Sequence, residues 1–290
     1  MRHRMTPTFN YEKYRDGEWV LWILREKWHE QLWQLVAPVI EELPISKHPQ
    51  TLPIRYPNSE DGQPLYLKVF HASSGAGRLK DWCRDSKAVR SMRQGAALAG
   101  AGFNVPLTMA AGEKRKYRFL RKAFVLTVGL HGQSLPICLR ERYLSGLGTL
   151  SLSEKRDALR RLAVEVRRLH QMGFVHGDLV PTNIFLTYGP GKPSKFIFMD
   201  NDRTRRYPKW LPQALWRRNL IQLNRIPLPG ITLQDRVRFL RYYLDSKNGD
   251  NPQRKLLSWL ERKTRERRKE CDSVDASGGF RQLMRWEDKA

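Results

Sequence analysis

Asp178 and Asn183 are the two side chains of this chain best placed to do chemistry. They lie in Val175-His176-Gly177-Asp178-Leu179-Val180-Pro181-Thr182-Asn183-Ile184-Phe185, an H-x-D-x-x-x-x-N spacing. A short loop of this kind presents a carboxylate to a substrate hydroxyl and an amide oxygen to a metal ion. A second acid ends the apolar run Phe196-Ile197-Phe198-Met199-Asp200. Phosphoryl transfer from ATP needs these three groups. One carboxylate orients the acceptor hydroxyl and takes its proton, while the Asn and the other carboxylate hold the Mg2+ ions that bridge the phosphates. A buried turn whose Asp and Asn cap backbone groups would show the same spacing, so the flanking elements decide.

Leu152 to Met172 carries apolar residues at helical spacing, Leu159, Leu162, Ala163, Val166 and Leu169. Ser151 or Ser153 can cap its start, and Gly173 ends it. After Asn183 come the apolar triplet Ile184-Phe185-Leu186, a turn rich in Gly and Pro, and the strand to Asp200. Helix, loop, hairpin and metal acid follow one another in the order of a kinase.

Such an enzyme also needs a lysine for the nucleotide phosphates. Lys68 lies in the strand Leu65-Tyr66-Leu67-Lys68-Val69-Phe70, after the turn signal Asn58-Ser59-Glu60-Asp61-Gly62. A lysine in an apolar strand calls for a partner or an anionic ligand. The usual partner is a glutamate on the next helix, expected here over about Arg84 to Ala101. No glutamate occurs between Lys68 and Glu113. Gln94 lies near the required place, and Asp85 is a second candidate. A glycine-rich loop over ATP is not legible. Pro53 to Gly62 is the candidate covering hairpin, and Leu126-Thr127-Val128-Gly129-Leu130 the candidate hinge against adenine.

The His-Gly-Asp loop, the run Asp200-Asn201-Asp202-Arg203 and the segment Trp216-Arg217-Arg218-Asn219-Leu220 resemble the lipopolysaccharide kinases. Those bacterial enzymes phosphorylate 3-deoxy-manno-octulosonic acid (Kdo) or heptose of the inner core. Arg90-Ser91-Met92-Arg93-Gln94 is also similar to the family's helix, with Gln94 where a Glu is usual and Asn201 where an aromatic is usual. The likeness covers roughly Tyr66 to Leu244. It implies Asp178 as catalytic base, Asn183 and Asp200 as metal ligands, and Lys68 on the nucleotide phosphates with Gln94 beside it. Asp202 would support the metal or pair with Arg203, and His176 would be structural. Gly177 stands where regulated protein kinases carry an arginine that reads a phosphorylated loop, so no such switch is expected.

The expected fold is α+β and protein-kinase-like, with two lobes: a small β-rich N-lobe with one main helix and a larger helical C-lobe. The expected divisions are an accessory segment 1–50, the N-lobe 51–128, the C-lobe 129–250 and a basic extension 251–290. Cys83, Cys138 and Cys271 are scattered with no C-x-x-C, which fits a reducing cytosol. No apolar core follows Met1-Arg2-His3-Arg4 at signal-peptide spacing. Trp19, Trp22, Trp28 and Trp33 crowd Glu18 to Leu43, part of which reads as an amphipathic helix. It is either packed on the small lobe or seated at a membrane interface. Arg254 to Lys269 reads as a basic helix whose later half is solvated, Asp272 to Gly279 as a flexible linker, and Phe280 to Trp286 as a docking segment.

A net charge of +24, from 53 Lys and Arg against 29 Asp and Glu, predicts polyanionic partners. Arg203, Arg205, Arg206, Arg217 and Arg218 are the candidate acceptor contacts, because guanidinium groups pair with phosphates and carboxylates. An anionic lipopolysaccharide core or related glycolipid is the expected partner, with ATP and Mg2+ as cofactors. The expected location is the cytoplasm, with peripheral contact to the anionic inner membrane surface. No motif supports specific nucleic-acid binding. Two other readings stand beside this one. One is a small-molecule phosphotransferase of the aminoglycoside or choline kinase kind, which usually carries an acidic pocket. The other is a nucleotide-binding scaffold without catalysis. An atypical protein kinase fits less well, because Asp-Asn-Asp-Arg is not D-F-G.

Overall fold

Alternation along β4 (Leu65–His71) organises the first part of the chain. Leu65, Leu67 and Val69 face one core, while Phe70 belongs to another on the opposite side of the strand. The computed structural model describes residues 10–56, 64–72, 77–144, 152–189, 192–208, 210, 214–228, 230–245 and 251–274. The chain divides into two compact units. The first is Met1–His131 with Ile197–Arg203, and the second is Gly132–Phe196 with Thr204–Ala290.

The first unit is built on β1 (Tyr11–Asp16), β2 (Trp19–Leu24), β3 (Gln50–Ile54), β4, β5 (Thr108–Lys116) and β6 (Phe119–Val128), in the order β1-β2-β5-β6-β4-β3. Every pairing is antiparallel. Lys68 lies opposite Val125 of β6 and Thr51 of β3. One face is covered by α1 (Glu30–Glu42), whose Leu32, Trp33, Val36 and Ile40 join Trp19, Leu67 and Phe124. On the other face α3 (Lys87–Gly100) brings Ala88, Val89 and Met92 against Phe70, Ala123 and Val125. The short α2 (Gly77–Cys83) precedes it.

Two expectations change here, and one of the two readings of the Trp-rich segment holds. The described part of the expected accessory segment 1–50 is more than an accessory, because β1 and β2 are strands of the main sheet. Trp19 and Trp33 follow the packed reading rather than the interfacial one. Both are buried, their rings pack on Phe124 at 5.5 and 5.6 Å, and their N–H groups bond Glu41 and Asp16. The helix carrying Gln94 starts at Lys87 rather than Arg84, since the Ser86 side chain caps it by accepting from Val89 N. The loop of the expected covering hairpin, 57–63, lies outside the described residues, though its flanks β3 and β4 do pair.

The second unit contains α4 (Leu135–Leu144), α5 (Leu152–Gln171), α6 (Ala214–Leu223), α7 (Leu233–Leu244) and α8 (Asn251–Val274). The small strands are β7 (Gln133–Ser134), β8 (Phe174–Val175), β9 (Ile184–Gly189), β10 (Lys192–Phe198) and β11 (Arg205–Arg206). They form the sheets β10-β9-β7 and β11-β8. Leu162, Ala163, Val166 and Leu169 of α5 are buried. Buried Asp235 of α7 binds Lys155 of α5 at 2.9 Å and completes a capping box with Thr232. A largely apolar cavity of about 590 Å³ opens among these elements, lined by Leu139, Leu162, Phe196, Leu220, Phe239 and Leu257 among others.

The helix α8 packs into this unit through its apolar start, while most of its described later half is exposed, as its composition implies. Leu260 and Thr264 are buried, Asn224 bonds Thr264 at 3.2 Å, and Arg268 donates to the carbonyls of Asn224 and Arg225. The helix runs through Asp272 to Val274, the start of the segment whose composition reads as a linker. The rest of that linker and the docking segment 280–286 lie outside the described residues.

Candidate active site

The acidic loop Asp200–Asp202 belongs to the first unit. Phe198 N donates to Asn104 O at 3.0 Å, and the Phe198 ring meets Phe103 edge-on. Asn201 is buried, and its amide donates to Phe198 O. At the turn Asp200 takes φ +53, a left-handed conformation uncommon outside glycine that Asp adopts more readily than most side chains. Its Oδ1 accepts from Lys68 Nζ at 2.5 Å. Lys68 is on the α3 face of β4, where its ammonium also lies 5.7 Å from the Phe70 ring centroid.

The expected lysine partners lie elsewhere. Gln94 is half-buried on α3 and makes no hydrogen bond to Lys68 among the described residues. Asp85 instead pairs with Arg93. Arg90 of α3 donates to the backbone carbonyl of Asp202 at 3.3 Å. Burial pushes the Asp202 carboxyl up, against the opposing pull of Arg203 and Arg90. Arg203 is exposed.

The Asp178 loop belongs to the second unit, and side chains of α6 hold it on both sides of Asp178. His176 N donates to Asn219 Oδ1 at 3.0 Å and Leu179 N to Gln222 Oε1 at 3.2 Å. Gln222 Nε2 donates back to Gly177 O at 2.9 Å, and Asn219 Nδ2 links to Gln222 Oε1. Gly177 has φ +76 and Gly173 φ +84. At Gly173 an added Cβ would collide with the Tyr207 carbonyl oxygen, so glycine is required there both by conformation and by contact. Asn183 Nδ2 donates to Asp178 O at 3.0 Å. With its nitrogen so engaged, the Asn183 amide presents Oδ1 as its remaining ligand atom.

Behind the brace, His170 of α5 is buried, stacks on Trp216, and shares hydrogen bonds with Asn219 (3.2 Å) and the Tyr243 hydroxyl (2.8 Å). Burial drives the imidazole down to about 4 and the Tyr243 phenol up to about 12. His176 is fully buried, and its carbonyl accepts from Thr204.

The basic candidates divide. Arg205 and Arg206 are exposed on β11, but Arg206 also donates to Met172 O and covers the Phe174 ring. Arg217 and Arg218 are exposed on α6, and Arg217 lies over Trp259. Sequence reasoning missed Asn219, Gln222 and Arg90 as working parts. The available signal was the i, i+3 spacing of Asn219 and Gln222, which puts two amides on one face beside Leu220 and Leu223.

The fold is protein-kinase-like, and the family match makes this chain a kinase, an enzyme that transfers phosphate to an alcohol group. The sequence profile of the "Lipopolysaccharide kinase (Kdo/WaaP) family" matches residues 66–243, and the chain belongs to that family. Among solved structures, "WaaP in complex with acyl carrier protein" is similar at 20% identity and TM-score 0.56, over 82% of this chain and 97% of that one. The Mycobacterium tuberculosis PknI kinase domain matches at 15% identity and TM-score 0.39, over 76% of this chain and 93% of that one. No curated protein matches.

Proposed function

We propose that this protein phosphorylates a hydroxyl of Kdo or heptose in the lipopolysaccharide inner core, using ATP and Mg2+. The observation that carries the reading is the braced Asp178 loop: α6 holds the backbone before and after the carboxylate, and Asn183 is tied to the Asp178 carbonyl. Asp178 orients the acceptor hydroxyl and takes its proton as the oxygen attacks. Lys68 neutralises charge on the nucleotide phosphates. Magnesium takes one or two protein oxygens and completes its shell with phosphate and water. Asn183 Oδ1 and the Asp200 carboxylate are oxygens of the kind it prefers, and each would serve as such a ligand. When bound, the ion neutralises charge on the phosphates during transfer.

Arg203, Arg205, Arg206, Arg217 and Arg218 are the proposed contacts to acceptor carboxylates and phosphates. The net charge of +24 favours such an acceptor over the cationic substrates of aminoglycoside-type enzymes, and it favours peripheral contact with the anionic inner membrane surface. No described helix is long and apolar enough to cross a membrane. Incubation with labelled ATP and defined core oligosaccharides, followed by location of the phosphate, tests the proposal. Label on Kdo or heptose is expected, and transfer to neither sugar would refute it.

A second partner follows from the apolar cavity. The similar WaaP structure contains acyl carrier protein. We infer that this chain also binds acyl carrier protein, with the cavity of the second unit receiving the acyl chain. Capture of the acylated carrier but not the unacylated one is the expected result, and capture of neither would refute it.

A further inference from the structure

Arg90 fastens α3 to the turn that carries Asp200. Its Nε donates to Asp202 O at 3.3 Å, and its Nη1 donates to Asp85 O at 2.9 Å, just before the helix begins. The guanidinium therefore spans from the start of α3 to the acidic turn. That turn draws support from its surroundings, which favours the uncommon φ +53 of Asp200. Phe198 N to Asn104 O, Asn201 Nδ2 to Phe198 O and Arg90 to Asp202 O supply it. Of these ties, the Arg90 bond is the one made by α3.

An ion pair from α3 to the strand lysine would normally couple this helix to the nucleotide site. Here the Lys68 ammonium is on Asp200, and Gln94 does not bond it. Arg90 lies one helical turn before Gln94, on the same side of α3. We propose that Arg90 is a positioning residue for the metal-binding carboxylate: it couples α3 to Asp200 through the Asp202 backbone. This rests on the phosphotransfer reading of Asp200.

The test uses the full chain and reads metal binding without turnover. Mn2+ is titrated by electron paramagnetic resonance in the presence of a non-hydrolysable ATP analogue, with wild type, Arg90→Ala and Arg90→Lys. Arg90→Ala is expected to weaken Mn2+ binding about tenfold, the scale of one hydrogen bond to a charged group. Arg90→Lys should recover part of this, because its ammonium reaches the same carbonyl. Affinity for the analogue without metal should stay within about twofold, which a loss of folded protein would not allow. Should Arg90→Ala fail to fold, Arg90→Gln gives the same readout. Unchanged Mn2+ binding in the variants would overturn the proposal alone. Absence of Mn2+–nucleotide binding in wild type would overturn the phosphotransfer reading with it.

Discussion

The Lys68 ammonium and the Asp200 carboxylate, 132 residues apart in sequence, meet at 2.5 Å. The proposed phosphate-binding cation and the proposed metal-binding anion thus pair with each other. Their side chains are 27% and 50% exposed, so the pair is well screened and would give way to a nucleotide–metal complex at small cost. Lys68→Ala is accordingly expected to change stability by less than about 1 kcal/mol while raising the KM for ATP. A large drop in melting temperature would instead make Lys68 a structural residue.

Asp178→Asn and Asp200→Ala should fail in different ways. The first removes the proton acceptor, so kcat falls by a factor of about 10² or more while ATP binding persists. The second should raise the Mg2+ concentration needed for half-maximal activity. Wild-type activity in either variant would refute its assigned role.

Gln222→Leu deletes the bonds to Gly177 O and Leu179 N that flank Asp178. It is expected to lower kcat with little change in the KM for ATP. Asn219→Leu also strands His176 N and His170, which costs roughly 2–3 kcal/mol of stability. Chemical denaturation alongside kinetics separates the two effects, and a Gln222→Leu enzyme with unaltered kcat would remove the brace from catalysis.

His170 makes the second unit sensitive to acid. Its pKa is held near 4 when folded against an ordinary 6.5, so the native state excludes a proton that the unfolded chain takes up. The stability from this site is complete above pH 6.5 and declines as pH falls toward 4, by about 3 kcal/mol in all. Melting curves from about pH 8 to about pH 4.5 should show this slope in wild type and a shallower one in His170→Gln. Equal slopes would show that another group governs the acid response.

Arg205 and Arg206 separate acceptor binding from structure. Arg206 already serves Met172 O and the Phe174 ring, so Arg206→Ala should also reduce stability. Arg205→Ala should leave melting unchanged, raise the KM for the core oligosaccharide, and weaken that binding's dependence on salt. Acceptor use indifferent to both the substitution and salt would favour a neutral acceptor.

Local spacing determined much of this protein. The Asp178–Asn183 loop, α5, the β9–β10 hairpin and the Lys68 strand are each specified by residues within a few turns of one another. Periodicity and turn chemistry therefore carry them. The partners of those elements were decided only by tertiary structure. Helical spacing suggested Gln94 or Asp85 for Lys68, but charge attraction joins Lys68 to Asp200, which no local pattern relates to it. Tryptophan content left the N-terminal segment either packed or interfacial, and burial against Phe124 gives Trp19 and Trp33 the packed role. A basic composition suggested a solvated later half of α8, and most of what is described there is exposed, yet Thr264 within it packs inward. Asn219 and Gln222 looked like ordinary helix amides because their hydrogen-bond partners lie 43 residues away. Sequence states what each segment can form, whereas burial and long-range hydrogen bonding select the neighbour that satisfies it.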